Sequence, residues 1–374
     1  MSARPRRAAR GRRLRVAVVY GGRSVEHEVS LVSAKAIMAA LDPARYEVLP
    51  VLVSRDGRWS AGRSGAKSRS LTGVSELLRF TGAGGARSVD VVFPIIHGTG
   101  GEDGTLQGLL TLAGLPFVGA GVLGSALGMD KAAMKTMFQE AGLPIVRYRA
   151  VSRREHDADA AGIESILERH CGYPCFVKPA NGGSSVGISK CRDRDGLQRA
   201  LRLAFRYDHR IVVETAVDGR EIECSVLGNE HPDASVAGEI VPAGEFYDYK
   251  SKYADTGSRL VIPAPLSRAQ QALVRDLSIR AFQALDLAGF ARVDFFVERG
   301  SGAVLLNEVN TLPGFTPISM YPKLWEASGL PFPRLVDRLI ALALERHALG
   351  RRLVTTFGSG APRGPKKAGA PRRR

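Results

Sequence analysis

The stretch from Arg292 to Gly314 constrains the fold most, because its pattern predicts two β-strands joined by a tight turn. Residues 291–297 and 304–310 each show an approximate alternation of polar and apolar side chains. Between them lies Gly300-Ser301-Gly302, which has the composition of a turn. We therefore expect a β-hairpin here.

A hairpin centred on Ser301 would bring polar side chains of the two strands together. It pairs Asp294 with Glu308 and Arg292 with Asn310, and the two-residue period of a strand puts these four side chains on one face. The apolar side chains predicted on the opposite face are Val293, Phe295, Leu305 and Val309. Directly opposed carboxylates repel each other unless a positive charge lies between them.

A divalent cation between Asp294 and Glu308 would remove that repulsion. Mg²⁺ takes oxygen ligands, keeps several waters and is usually held by one or two carboxylates together with substrate phosphates. With the amide oxygen of Asn310 the two carboxylates suit that donor set, so the hairpin predicts a magnesium site that binds a nucleotide. The alternative is a surface hairpin whose polar face meets water. The Pro313-Gly314 turn favours the site, because it can direct backbone N–H groups toward it.

The strong positive charge of the chain lies at its two ends. Of the formal charge of +16, residues 1–13 carry six arginines and residues 351–374 carry eight arginines or lysines, with no acidic residue in either segment. About +2 is left for the body of the chain. We predict that both segments are disordered basic tails. Weak, salt-sensitive binding to polyanions is an alternative role for them, but we expect no specific nucleic-acid partner.

Composition excludes several other classes of protein. In 374 residues no apolar run approaches the roughly 20 residues that span a bilayer. No apolar stretch of signal-peptide length follows the basic start. The four cysteines form no CxxC pair and have no histidine partner at zinc spacing, so reduced structural thiols are expected. We expect a cytoplasmic protein with no membrane segment.

The first third of the chain predicts a parallel α/β domain, with strands at 15–20, 46–53 and 89–96. A glycine turn after the first strand leads into a helix, for which the pattern predicts a buried side formed by Val29, Val32, Ala36 and Ala40. The Gly- and Ser-rich segment 55–85 is expected to be loop-like.

Two polar residues of this domain stand where a ligand is expected. Glu26, in the turn after the first strand, suits a substrate ammonium, although a carboxylate favoured by the helix macrodipole is the alternative. His97 opens a glycine-rich loop after the third strand and could donate to a bound carboxylate or phosphate. An ordinary loop histidine is the alternative.

A second domain is expected to begin near Leu127. Asp130 is predicted to cap a helix whose apolar stripe is Met134, Met137, Phe138 and Ala141, with Lys131 and Lys135 off that stripe. Lys178 ends a strand and precedes a Gly- and Ser-rich loop, which fits a lid over a triphosphate.

Further along, the strand 211–214 is expected to close an adenine pocket, with Glu221 on the next strand. The tyrosine- and lysine-rich segment 247–253 fits a mobile loop that closes over the site. Ser267 and Gln270 form a capping box that opens a long helix through Val274, Leu277 and Ala281, and residues 332–349 predict a closing amphipathic helix.

Six motifs stand in one order along the chain. They are Gly21-Gly22-Arg23-Ser24-Val25-Glu26-His27-Glu28-Val29-Ser30, His97-Gly98 with Gly101-Glu102-Asp103-Gly104, Lys178-Pro179 with Gly183-Ser184-Ser185-Val186-Gly187, Tyr247-Asp248-Tyr249 with Lys252-Tyr253, Arg292-Val293-Asp294, and Glu308-Val309-Asn310-Thr311 with Pro313-Gly314. Together they resemble the D-alanine:D-alanine ligases of bacterial peptidoglycan synthesis, collinearly from about Arg15 to Leu349.

The resemblance implies an ATP-grasp fold, an α/β protein with three α+β domains. These would be an N-terminal parallel α/β domain over 14–126, a central lid domain over 127–225 and a C-terminal catalytic domain over 226–350. The implied reaction joins two D-alanines through a D-alanyl phosphate, with release of ADP and phosphate. The family is usually homodimeric and uses two Mg²⁺ ions, with Mn²⁺ as a substitute.

The resemblance also assigns residues to roles. The implied metal ligands are Asp294, Glu308 and Asn310. The implied nucleotide contacts are Lys131, Lys178, Ser184, Ser185, Glu214, Glu221, Lys252 and Asn307. The implied substrate contacts are Glu26, His97, Lys252, Arg292 and Ser319. The implied catalytic groups are Arg292 and the Gly314 N–H, which face the developing oxyanion, and the hydrogen-bonded triad of Glu26, Ser184 and Tyr253.

Tyr253 also bears on the second substrate. Relatives that make a D-alanine:D-lactate depsipeptide carry histidine at that point, so tyrosine favours an amine nucleophile. The alternatives are an ATP-grasp ligase that takes D-serine or D-lactate second, and a polyanion-binding protein that acts through its tails.

Overall fold

The computed structural model describes residues 12–62, 69–71, 89–183, 186–242 and 259–354. Within these residues the strands form three sheets. No helix in the described part of the chain is both long and apolar enough to cross a bilayer.

The first sheet has the strand order β4-β3-β2-β1-β5. Its strands are β1 (Leu14–Gly21), β2 (Tyr46–Val53), β3 (Trp59–Ala61), β4 (Arg69–Leu71) and β5 (Val91–Ile95). Strand β1 pairs in parallel with both β2 and β5, which confirms the parallel α/β prediction. The prediction that 55–85 is loop-like was wrong at β3 and β4, which extend the edge antiparallel. Strands of three residues are too short to show an alternating pattern.

Three helices accompany this sheet: α1 (His27–Ala40), α2 (Thr105–Leu112) and α3 (Val122–Met129). The buried side predicted for α1 was partly wrong, because Val32 is 48% exposed. The helix instead buries Val29, Ser33 and Ile37. Ser30 and Ser33 can be buried because each hydroxyl has a hydrogen-bond partner.

The second sheet has the order β6-β9-β7-β8 and is antiparallel. Its strands are β6 (Tyr148–Ser152), β7 (Cys175–Pro179), β8 (Ser189–Cys191) and β9 (Arg210–Thr215). Its helices are α4 (Lys131–Glu140), α5 (Arg153–Ala158), α6 (Ala160–Cys171) and α7 (Arg194–Ala204). Asp130 caps α4 by accepting from the Ala133 N–H, as predicted, whereas Ala141 is the exposed C-cap rather than part of the buried stripe.

The third sheet has the order β12-β11-β10-β13-β14 and is antiparallel. Its strands are β10 (Gly219–Gly228), β11 (Asp233–Val241), β12 (Arg259–Val261), β13 (Gly289–Glu298) and β14 (Val304–Asn310). Its helices are α8 (Arg268–Ala284), α9 (Met320–Ala327) and α10 (Phe332–Gly350). Both hydrogen bonds of the predicted capping box at the start of α8 are present.

One apolar core joins the first sheet to the end of the chain. Val16 and Phe93 of the first sheet belong to the same buried cluster as Leu335 and Leu339 of α10. Phe315 packs edge-on against Phe93 with ring centroids 6.1 Å apart, so the segment after β14 lies in this shared core. The N-terminal and C-terminal parts of the chain are thus packed together around the loop that follows the hairpin.

The hairpin has the predicted register, with Asp294 opposite Glu308 and Arg292 opposite Asn310. A β-bulge beyond that pair sets Phe295 opposite Leu306, so that Asn307 is the extra residue. The bulge shifts the alternation by one position, and Leu306 is fully buried while Leu305 is half-buried. The prediction of Leu305 on the core face was therefore wrong.

The proposed domain boundaries fall within regular elements. Residues 126 and 127 lie in α3, and residue 225 lies in β10, which pairs with β11 and β13. The boundaries stay predictions. All four cysteines lie in the described part of the chain and are buried free thiols, as expected.

Candidate active site

The face of the hairpin predicted to be polar holds an ion pair. Arg292 donates from Nε to Asp294 Oδ1 and from Nη2 to Oδ2, each at 2.7 Å. Burial alone would lower the pKa of Arg292, but Asp294 and Glu223 raise it well above its usual value. The guanidinium therefore supplies positive charge beside the opposed carboxylates.

The bulge turns two neighbouring polar residues toward the same face. Asn307 and Glu308 both line one cavity with Arg292 and Asp294. The backbone carbonyl of Asn307 accepts from Lys135 Nζ at 3.1 Å, while its side-chain oxygen is buried without a hydrogen-bond partner. An unpaired buried acceptor is costly unless a ligand or water donates to it.

A buried carboxylate lies between two lysines at one end of this cavity. Glu214 Oε2 accepts from Lys178 Nζ at 2.7 Å, and Glu214 Oε1 is 3.0 Å from Lys135 Nζ. Burial alone would raise the pKa of Glu214, but Lys135 and Lys178 outweigh burial and lower the pKa to about 2. Burial lowers the pKa of Lys135, whereas Glu214 and Glu308 outweigh burial and raise that of Lys178.

Lys135 is a site residue that sequence reasoning missed. It is 1% exposed and reaches both Glu214 and the Asn307 carbonyl. The available signal was its spacing, because Lys135 is one turn after Lys131 and so lies on the same side of α4. Lys131 itself donates to the Gly182 carbonyl at 2.7 Å and lies 3.9 Å from Glu308 Oε2.

The predicted metal ligands form an open donor set. Asp294 and Glu308 face each other, and Asn310 lies on the same strand as Glu308 with its side-chain oxygen accepting from the Leu312 N–H at 3.1 Å. Among the described residues no three His, Cys, Asp or Glu side chains form a closed metal cage. Two carboxylates and an amide oxygen suit Mg²⁺, which completes its shell with water and phosphate. The residues present therefore fit the ion.

The cavity is large enough for a nucleotide, with a volume of about 640 Å³. The predicted site residues that line it are Lys178, Glu214, Glu221, Arg292, Asp294, Asn307 and Glu308. The segment between β9 and β10, including Ala216 and Val217, forms another part of the wall. One cavity thus contains most of the residues expected to bind metal and nucleotide.

Glu26 lies at the first sheet, against two glycines. A Cβ atom added at Gly98 would lie 2.8 Å from Glu26 Oε2, and one added at Gly183 would lie 3.1 Å from it. A side chain at either position would displace the carboxylate. Gly183 directly precedes Ser184, so Glu26 adjoins the predicted lid.

His97 connects the first sheet to the loop after the hairpin. Its Nδ1 lies 3.0 Å from the Leu312 carbonyl, which can only accept, so Nδ1 carries the proton. Its Nε2 lies 3.2 Å from Ser33 Oγ, and the Phe315 N–H donates to the same Oγ. Burial alone would lower the pKa of His97, but Glu102 and Glu26 raise it. Both ring nitrogens have protein partners, and the expected contact with a substrate carboxylate stays a prediction.

Gly314 and Ser319 lie next to each other. A Cβ atom added at Gly314 would lie 2.7 Å from Ser319 Oγ, so a larger residue would displace the hydroxyl. Ser319 is the N-cap residue of α9, and its Oγ accepts from the Thr316 N–H at 3.0 Å. Four other predicted site residues, Ser184, Ser185, Lys252 and Tyr253, lie outside the described residues, as does the segment 247–253.

Two family models match the chain. The model described as D-ala D-ala ligase N-terminus matches residues 15–120, and the model described as D-ala D-ala ligase C-terminus matches residues 137–341.

Named relatives match along almost their whole length. A protein of Geobacillus kaustophilus (strain HTA426) named D-alanine--D-alanine ligase is 48% identical over 366 residues, covering 92% of this chain and 98% of the relative. A protein of the same name from Thermoanaerobacter sp. (strain X514) is 51% identical over 351 residues, covering 89% and 97%.

Solved structures agree with this likeness. The D-alanine-D-alanine ligase from Coxiella burnetii superposes with a TM-score of 0.78 at 38% identity, covering 91% of this chain and 98% of that one. The VanG D-Ala:D-Ser ligase from Enterococcus faecalis superposes with a TM-score of 0.79 at 34% identity, covering 89% and 100%. The likeness confirms the ATP-grasp fold expected from the sequence motifs, and the chain belongs to the D-alanine–D-alanine ligase family.

Proposed function

We propose that this protein joins two D-alanines to D-alanyl-D-alanine for peptidoglycan precursor synthesis, with ATP and Mg²⁺ as the family requires. The names of relatives that match most of the chain support this activity. The observation that carries the proposal is the opposed pair of Asp294 and Glu308, in a cavity of nucleotide size that also contains the buried ammonium of Lys178.

In the first half of the reaction, the carboxylate of one D-alanine takes the terminal phosphoryl group of ATP. Lys131 and Lys178 are proposed to donate to the phosphates. An ammonium group has three donors, so Lys178 can keep its bond to Glu214 and still reach a phosphate oxygen. Lys135 holds Glu214 from the other side and fixes the position of this pair. Bound Mg²⁺ would offset the charge of the transferring phosphoryl group.

In the second half, the amine of the other D-alanine attacks the acyl phosphate and phosphate leaves. Arg292 and the Gly314 N–H are proposed to stabilise the tetrahedral oxyanion, an effect whose loss costs about 100-fold to 1,000-fold in rate. Glu26 is proposed to hold the ammonium of the first D-alanine and, with Ser184 and Tyr253, to link the lid to this step. Exclusion of water by the lid loops would protect the acyl phosphate from hydrolysis.

The activity is tested by incubating the purified protein with ATP, Mg²⁺ and D-alanine and measuring phosphate release. We expect release far above that with L-alanine. Equal release with the two enantiomers, or none with either, would refute the proposal.

A second candidate activity differs in the second substrate, because the VanG structure that resembles this chain is named a D-Ala:D-Ser ligase. D-Lactate is the other alternative, which Tyr253 disfavours. Mass spectrometry of the products from D-alanine mixed with D-serine or D-lactate separates these reactions. We expect D-alanyl-D-alanine to dominate.

We also propose that the protein works in the cytoplasm as a homodimer without a specific nucleic-acid partner. Light scattering tests the dimer. Deletion of the basic tails tests the polyanion alternative, because ligase turnover should stay nearly unchanged if the tails have no part in catalysis. The tails lie outside the described residues except for 12–13 and 351–354.

A further inference from the structure

Glu223 is a third carboxylate beside the hairpin pair. It lies on β10 directly opposite Asp294 of β13, which in turn is opposite Glu308 of β14. Its side chain is 8% exposed, and its Oε2 lies 3.0 Å from Nε of Arg292. Glu223 lies outside the six sequence motifs.

Arg292 is shared between two carboxylates. It makes a bidentate pair with Asp294 and also contacts Glu223 through Nε. Asp294 is also a proposed Mg²⁺ ligand. An ion bound to Asp294 would draw charge from that carboxylate and repel the guanidinium, so the pair between Arg292 and Asp294 must weaken when the site is loaded.

We propose that Glu223 is a positioning residue that keeps Arg292 in the active site when a metal ion occupies Asp294. Glu223 is not among the proposed metal ligands, so its contact with Arg292 survives loading. The guanidinium then stays beside the reacting carbonyl instead of being expelled by the ion. This inference rests on the proposed function, specifically on the metal site at Asp294.

The proposal predicts that Glu223 acts through Arg292. In the Glu223→Gln variant, Arg292 depends more on Asp294 and competes more strongly with the metal ion. We expect the affinity for Mn²⁺ in the presence of ADP to fall about 10-fold, since removing such supporting partners typically costs about 10-fold to 100-fold. Turnover should fall by a similar factor, while the KM for ATP changes less.

A double-mutant cycle separates this mechanism from a simple loss of negative charge. Mn²⁺ affinity, measured by electron paramagnetic resonance with ADP present, is compared in wild type, Glu223→Gln, Arg292→Ala and the double variant. If Glu223 acts through Arg292, Glu223→Gln has no effect once Arg292 is alanine. An equal loss of Mn²⁺ affinity in both backgrounds would overturn the proposal, because a field effect does not need Arg292.

Glu164→Gln is the matched control. Glu164 lies on α6 and does not line the cavity, its side chain is 8% exposed, and its Oε2 lies 3.2 Å from Nη2 of Arg194. It should leave Mn²⁺ affinity unchanged. Thermal unfolding checks that each variant folds. If Glu223→Gln does not fold, Glu223→Asp replaces it in the experiment. Because Glu223→Asp keeps the charge, it should lower the Mn²⁺ affinity by less than the loss of about 10-fold expected for Glu223→Gln.

The experiment also distinguishes failure of this inference from failure of the proposed function. If wild type does not bind Mn²⁺ with ADP, or binds it equally well after Asp294→Asn, the metal site itself is misassigned. If that binding is present and sensitive to Asp294 but Glu223→Gln leaves it unchanged, only the role of Glu223 is refuted.

Discussion

Glu214 is buried between Lys135 and Lys178, and this arrangement makes it important for stability as well as for the site. The variant Glu214→Gln would leave two ammonium groups close together without their carboxylate. Removing one partner from a buried ion pair typically costs about 3–5 kcal/mol. We expect a loss of that size in urea unfolding at pH 7. Adding Lys135→Met should recover part of it, whereas a single variant as stable as wild type would contradict this account.

The same ion cluster predicts a pH dependence. Because the pKa of Glu214 is lowered from 4.5 to about 2, its ionised form stabilises the folded state fully above about pH 4.5. This stabilisation is lost as pH falls through the pKa of Glu214 in the folded state. We therefore expect the stability difference between wild type and Glu214→Gln to shrink from pH 5 to pH 2, measured by urea unfolding at several pH values. A difference independent of pH would refute the assignment.

Glu308 should matter far more for turnover than for folding. Glu308→Gln removes a proposed metal ligand at a partly open site, and we expect at least about a 100-fold loss of turnover with little change in melting temperature. Glu298→Gln, on the preceding strand of the same hairpin and hydrogen-bonded to Ser301, is the control. A collapse of thermal stability with ATP binding intact would indicate a structural role instead.

Asn307, the extra residue of the β-bulge in β14, has a backbone role and a side-chain role that two variants can separate. Asn307→Ala keeps the carbonyl that accepts from Lys135 but removes the unpartnered amide oxygen in the cavity. Deletion of Asn307 removes both and makes the ladder regular. We expect the substitution to raise the KM for ATP with a stability change below about 1 kcal/mol.

The deletion should lower both ATP affinity and the free energy of unfolding. Isothermal titration and urea unfolding measure the two quantities. If the deletion variant binds ATP as well as wild type does, the bulge has no part in shaping the site.

Elements with long, regular patterns were predictable from the sequence, and interruptions were not. The pairing of Asp294 with Glu308 was predicted from a turn centred on Ser301, although between the bulge and the turn the strands pair one residue out of that register. Helix α8 was predicted from its capping box. The bulge breaks the alternation at Leu305-Leu306 and Asn307-Glu308, where two apolar residues precede two polar ones. From the sequence, either Leu305 or Leu306 could face the core. Packing in the folded protein places Leu306 in the core.

Across the whole molecule, the site depends on contacts that sequence patterns do not encode. Lys135 meets Glu214 because α4 packs beside β9, and His97 meets Leu312 because the first sheet packs on the loop after β14. In the sequence alone, a helical lysine that becomes buried cannot be distinguished from a solvent-exposed one, because its partner in the folded protein is not known. The family motifs include residues proposed to bind the ligands, but not Lys135 or Glu223, whose side chains contact Glu214 and Arg292.

The packing of the N-terminal part against α10 yields a last prediction. Arg346 of α10 donates to the carbonyls of Phe117 and Gly119, and its guanidinium carbon lies 4.5 Å from the centroid of the Phe117 ring. Burial lowers the pKa of Arg346 to about 10. Arg346→Met would leave both carbonyls unpaired and cost about 2–4 kcal/mol in urea unfolding.

Because Glu26 lies on the N-terminal part whereas the metal ligands do not, loosening this contact should raise the KM for D-alanine more than that for ATP. Arg338→Met, at an exposed position of the same helix, should change neither quantity. Equal increases in both KM values would show that the contact stabilises the fold without aligning the two halves of the site.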